Sequence, residues 1–123
     1  MSRMRSSQLS YAPEEFVFYR KTPGENMAAY AIVDMTVTDT VKIGDYRKLA
    51  EASVATYGGR FLVRGGRCET VDGDWRPQRV VVIEFPDWEQ AKRWRSSPEY
   101  AKACEIRNQA ASTRMLLVEG MAG

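Results

Sequence analysis

Apolar and polar positions along this chain follow two periods in turn, one of two residues and one of three to four. Residues 30–37, YAIVDMTV, are rich in β-branched side chains and predict a first strand. Thr38 or Asp39 can cap a following helix, in which Tyr46, Leu49, Ala50, Ser53 and Tyr57 recur at the spacing that lines one face. Gly58 suits the position just past that helix, where a left-handed backbone carries no Cβ penalty. Arg60–Arg64 reads as a second strand, with Gly65 and Gly66 making a bulge and residues 68–71 continuing toward a turn at residues 72–74. A phosphate-cradling loop would need a helix start after the glycines, and the residues after them are strand-like. Pro77 stands at the entrance of a third strand, Arg79–Phe85. Asp87 with Gln90 opens a short helix through Trp94, and Ser97 with Pro98 restarts one whose inward stripe is Tyr100, Ala103, Cys104, Arg107, Ala110 and Ala111. Residues 113–119 form a fourth strand, ended by Gly120.

The order β-α-β-β-α-β is the split βαβ, or ferredoxin-like, pattern: an α+β fold with a four-stranded antiparallel sheet, both helical segments on one face and the second helix broken in two. Strand three, however, is apolar at consecutive positions, Val80 and Val82 on one side and Val81 and Ile83 on the other. Strand four repeats this with Met115 and Leu117 against Leu116 and Val118. Two helices cover only one sheet face, so the pattern predicts a homodimer packed sheet to sheet.

Composition narrows the function. At 123 residues and 44% hydrophobic, the chain supports a single domain, expected over residues 28–121. Residues 1–27 lack a sustained period and are expected to be an N-terminal arm, whose Phe16, Val17, Phe18 and Tyr19 could dock on the body or on a partner subunit; alternatively Met27 is the start. A formal charge of +2 with interspersed signs leaves no basic block for nucleic acid. The longest apolar runs fall far short of the roughly 20 residues a membrane span requires, and the expected location is cytoplasmic. Cys68 and Cys104 have no metal-knuckle spacing and are expected to be small buried hydrophobes. With no histidine, the chain lacks Ser-His-Asp and Cys-His arrangements, and neither a metal nor a cofactor is expected.

Four stretches, YGGRFLVRGG at 57–66, RVVVIEFPDWEQAKRW at 79–94, SPEY at 97–100 and LLVEG at 116–120, give the chain a further resemblance. Over roughly three quarters of its length it resembles the domain-of-unknown-function family numbered 1330, in the dimeric α+β barrel superfamily. That resemblance implies a ferredoxin-like protomer, a homodimer whose sheets form a barrel, and no established reaction. The superfamily includes cofactor-free monooxygenases, muconolactone isomerase-like enzymes and haem-degrading enzymes. The chain departs from the family at Arg95 and Ser96, where an aromatic and then a small polar residue are usual, and in residues 1–27, which have no counterpart.

Charged residues inside predicted elements are the candidates for chemistry, because burying an unpaired charge costs several kcal/mol. Glu84 and Asp34 are candidate catalytic bases, with Glu84 preferred. Arg64 or Arg107 would be the electrostatic partner, for a ligand carboxylate or an enolate oxygen. Each arginine has a structural reading as well: for Arg64 an Arg–Glu or Arg–Asp pair that fixes the hairpin, and for Arg107 a pair with a carboxylate of the sheet, Glu84 or Asp34. Trp94 and Tyr100 either wall an apolar pocket or are ordinary core aromatics. The resulting expectation is a small organic acid or phenol held between sheet and helices, with cofactor-free proton transfer or oxygenation; the alternative is a non-catalytic ligand-binding or protein-interaction homodimer.

Overall fold

The computed structural model describes residues 27–121. The arm expected over residues 1–27, with its cluster at 16–19, lies outside the described residues except for Met27. Seven elements follow in order: β1 (Ala29–Val37), α1 (Lys42–Thr56), β2 (Arg60–Arg64), β3 (Arg79–Phe85), α2 (Trp88–Arg95), α3 (Pro98–Ala110) and β4 (Ala111–Glu119). The strands form one sheet in the order β2-β3-β1-β4, every neighbouring pair antiparallel. This is the expected ferredoxin-like arrangement, with β1 and β3 central.

Local chemistry sets the ends of the helices. Asp39 Oδ1 accepts from the backbone N–H groups of Val41 and Lys42 at 3.0 and 2.9 Å, satisfying donors that the first turn of α1 leaves free. Gly58, at φ 77°, turns the chain out of α1 in the left-handed conformation the sequence predicts. Asp87 caps α2 through Gln90 N–H at 2.8 Å, and Ser97 caps α3 through Tyr100 N–H at 3.1 Å with Pro98 at the first helical position. No helix of the described residues is long and apolar enough to cross a membrane.

Three expectations are corrected. The bulge in β2 lies at Leu62, between the pairs Phe61 with Ile83 and Val63 with Val82, and not at the glycine pair. Gly65 instead ends the strand at φ 72°, and residues 68–71 form no strand: residues 65–78 are an irregular connection in which Thr70 Oγ1 donates to the Trp75 carbonyl. Ala111 opens β4 rather than closing the helical stripe, because its extended backbone joins strand and helix with no linker. Two smaller differences concern side chains. The buried face of α1 is Ile43, Tyr46, Ala50, Ser53 and Val54, which leaves Leu49 at its margin and exposed. Cys68 is exposed, while Cys104 packs against the core.

The core lies between the sheet and the helices. Ala29, Ala31, Val33 and Met35 of β1 and Val81, Ile83 and Phe85 of β3 point into it, against Ile43, Val54, Trp94, Tyr100 and Ala103. The small side chains of β1 let the helices approach closely, and the bulk is supplied by Phe85, Trp94 and Tyr100. Met115 and Leu117 join this side, whereas Leu116 and Val118 stand on the opposite face at 57% and 41% exposure. β3 and β4 therefore carry apolar side chains on both faces, as their consecutive hydrophobic positions predict.

Candidate functional site

Alternation along the central strands separates the sequence candidates into two groups. Glu84 lies between Ile83 and Phe85, whose side chains are buried under the helices, so it projects from the open face. There it accepts from Arg60 Nε at 2.7 Å and from the Tyr30 hydroxyl, on the residue paired with it in β1, at 3.3 Å. Asp34 also projects from the open face. Its Oδ2 accepts from Trp75 Nε1 and from Arg114 Nη2, both at 2.8 Å, and the Trp75 bond, supported by Arg114, holds its carboxyl below the usual range. Trp75 reaches Asp34 from the β2–β3 connection, and the two line a shallow open groove of about 590 Å³ with Arg114 and Leu116.

Arg64, Trp94 and Tyr100 meet on the helix side, where they line a cleft between the sheet, α1 and the two C-terminal helices. Trp94 is 1% exposed; its ring centroid lies 5.1 Å from that of Phe85 and 4.2 Å from that of Tyr100, and its Nε1 donates to Ser53 Oγ at 3.0 Å. These aromatics thus serve as core and cleft wall at once. The free space is about 30 Å³, enough for one or two water molecules, so a ring-sized ligand enters only if the lining side chains move apart.

A polar node sits against this wall. The hydroxyls of Tyr46 and Tyr100 are 2.9 Å apart, and Arg107 Nη1 donates to the Tyr100 hydroxyl at 3.2 Å. Arginine only donates, so Tyr100 accepts from it and can pass its own proton toward Tyr46. In that orientation the Tyr46 O–H is the end of the chain, on a residue that lines the cleft. The expected ion pair of Arg107 with Glu84 or Asp34 is corrected: both carboxylates lie beyond the sheet, on its open face. The other contact of Arg107 is Asn108 Oδ1 at 3.3 Å, and its buried Nε has no partner among the described residues. Since no carboxylate is orphaned when it is removed, Arg107→Met is expected to change stability by about 1 kcal/mol or less in urea unfolding. A loss of about 3 kcal/mol would instead show a buried ion pair.

Burial raises the ionisation of both phenols above the ordinary value, and at Tyr100 the neighbouring Tyr46 adds to the shift. A raised folded-state pKa stabilises the fold below the unfolded value, near pH 10, and that contribution is lost as pH rises above it, because the unfolded chain ionises first. Absorbance titration near 295 nm is expected to show Tyr46 and Tyr100 silent until the fold collapses. Their ionisation near pH 10 with circular dichroism unchanged would contradict the buried node.

Three further residues with polar groups line the cleft without having been site candidates from the sequence: Tyr46, Arg47 and Arg79. The period-two run Arg79, Val81, Ile83, Phe85 carries the signal for Arg79, a cation at a helix-facing strand position. Tyr46 was legible as a helix-face residue, but its partnership with Tyr100, 54 positions away, was not. Among the described residues no group of three His, Cys, Asp or Glu converges to hold a metal.

The sheet order and the helices on one face define a ferredoxin-like α+β protein. Within that class the chain belongs to the family described as domain of unknown function (DUF1330), whose model matches residues 28–121. Among solved structures, the RPA0582 protein of unknown function from Rhodopseudomonas palustris is similar at 15% identity, with TM-score 0.65 over 94% of this chain and 98% of that one. SnoaB, a cofactor-independent oxygenase from Streptomyces nogalater, is similar at 12% identity, with TM-score 0.55 over 79% and 96% of the two chains. A dimeric protein of unknown function and ferredoxin-like fold from Bacteroides fragilis is similar at 16% identity, with TM-score 0.51 over 78% and 99%. At these identities the likeness is one of fold. No curated protein matches the sequence.

Proposed function

We propose that the chain acts as a homodimer that takes a small organic acid or phenol into the cleft between sheet and helices and stabilises the ionised oxygen of that ligand there. The observation that carries this reading is the Arg107–Tyr100–Tyr46 chain, which ends in a phenol donor beside an aromatic wall. Hydrogen-bond donors fixed in a dry site stabilise negative charge more than water-exposed ones do, because they need no reorganisation. Among the described residues the cleft lining includes no carboxylate, and Glu84 and Asp34 face away from it, so neither serves as a base there. A ligand acidic enough to ionise by itself fits such a site. An ionised phenol or enol is also the electron-rich form that reacts with oxygen directly, and the fold likeness to a cofactor-independent oxygenase is compatible with that chemistry.

A binding protein without turnover is the second reading, favoured by the lack of a carboxylate base among the described residues that line the cleft. In either case residues 1–27 are proposed to be an arm added to the domain at 28–121, a division that the span of the family match supports. Thermal-shift screening of small carboxylic acids and phenols tests the proposal, since a ligand that binds only the folded state raises Tm. A hit whose shift is reduced in Tyr46→Phe is expected. A full panel without a hit, or hits indifferent to Tyr46, would refute it. Proton–deuterium exchange of a hit at the carbon beside its carbonyl then separates catalysis from binding.

A further inference from the structure

Arg47 from α1, Arg64 from the end of β2 and Arg79 from the start of β3 all line the cleft that holds the aromatic wall. Register places them together. Arg64 pairs with Val81, and Arg79 is two residues before Val81 on the same, helix-facing side of β3, opposite the buried Met35. Arg64 Nη1 reaches back to Glu51 Oε2 on α1 at 2.6 Å, which draws its guanidinium toward the helix that carries Arg47. Its Cζ also lies 4.2 Å from the centroid of the Phe61 ring, so its position is fixed from two sides.

Three arginines thus line one cleft, and Glu51 pairs with one of them, Arg64. Among the described residues the ion pairs are Arg60 with Glu84, Arg64 with Glu51 and Arg114 with Asp34, and neither Arg47 nor Arg79 belongs to one. Burial, followed by the like charges of Arg47 and Arg64, lowers the Arg79 ionisation from its ordinary value. The backbone makes room for this: a Cβ at Gly65 would collide with the Arg79 guanidinium, and the positive φ of Gly65 already favours glycine. An arrangement that sets like charges together beside an apolar cleft costs stability while the site is empty, and an anion between them reverses the sign of that cost.

We propose that Arg47, Arg64 and Arg79 form a carboxylate-recognition site at the mouth of the cleft, so that the ligand is a carboxylic acid with its carboxylate at the arginines and its apolar part directed toward Trp94, and the Tyr46 hydroxyl serves a second oxygen where the acid carries one. The inference rests on the cleft reading above and names the ligand class for it. Planar guanidinium forks match a carboxylate in a bidentate manner, and the aromatic wall behind them favours an acid with an apolar tail over a bare inorganic anion.

Isothermal titration of the full chain with acetate and benzoate, with acetamide and benzamide as uncharged isosteres, and with inorganic phosphate tests the proposal. Benzoate is expected to bind saturably and benzamide at least about tenfold more weakly, a ratio set by the charge alone. Arg79→Met is expected to weaken benzoate by about 10- to 100-fold, to leave benzamide unchanged, and to melt at the same temperature as the parent or higher. Should Arg79→Met fail to fold, Arg47→Met and the acid–amide ratio of the parent chain decide. Acid and amide binding alike, with Trp94 fluorescence responding to both, would overturn the arginine site and leave the cleft reading standing. No response to any acid or amide would overturn both. Phosphate binding more tightly than either carboxylate would overturn the ligand class.

Discussion

Leu116→Asp is expected to convert the proposed dimer into folded monomers. Leu116 projects from the open face of β4, opposite Ile32 of β1, in a surface that continues through Val118 and the half-buried Val80 and Val82. The alternating neighbours Met115 and Leu117 pack on the core side, which makes Leu116 the position where a charge meets the partner and not the protomer's own interior. At 57% exposure in the single chain it contributes little to folding, so the variant should melt cooperatively. In a two-fold interface the same substitution occurs twice, and each buried, unpaired carboxylate costs about 3–5 kcal/mol. Two of them weaken association by more than about a thousandfold. Sedimentation or light scattering at micromolar concentration checks this: monomer mass for the variant and dimer mass for the parent are expected. A parent chain that is monomeric, or a variant that remains dimeric, would remove the sheet-to-sheet packing.

The second large effect is expected at Trp94. Trp94→Ala should destabilise the fold by about 3–5 kcal/mol, the range for truncating a large buried aromatic. The side chain is 1% exposed, stacks between Phe85 and Tyr100, and bonds Ser53 Oγ, so its removal leaves a cavity walled on both sides and a hydroxyl that loses a donor. Ser53 keeps its own bond to the Ala50 carbonyl at 2.8 Å, which limits the polar part of the loss. Trp94→Phe, which retains an aromatic ring but not the Nε1 bond, should cost about 1–2 kcal/mol. Urea unfolding of the two variants measures both. An alanine variant within about 1 kcal/mol of the parent would show that the wall collapses freely and that the cleft is not held open by packing.

The elements were legible because local chemistry announces them. Asp39, Asp87 and Ser97 cap where their side chains permit, Gly58 turns where a positive φ is needed, and the doubled apolar pattern of β3 and β4 marks two strands with apolar side chains on both faces. The connection over residues 65–78 was less legible, since Gly65 and the β-branched residues near it suit a bulged strand as well as a strand end, and only the pairing partner across the sheet decides. For the site, Arg64, Trp94 and Tyr100 were found as residues but not as a cleft. Glu84 and Asp34 were found as interior carboxylates, yet a one-residue step along a strand reverses the face, and composition says nothing of that step. Arg79 and Tyr46 owe their significance to partners distant in sequence, Arg64 and Tyr100, and no local pattern reports such a meeting.

Entry of a small acid between sheet and helices is read out by the indole N–H signals of the protein in a benzoate titration followed by NMR. The chain has three tryptophans, and Trp94→Phe identifies the signal from the cleft wall. A saturable shift is expected of the Trp94 signal, whose Nε1 lies inside the core against Ser53, with the Trp75 signal on the open face unmoved. A Trp94 signal that stays fixed at saturating benzoate, whether or not Trp75 moves, would contradict it.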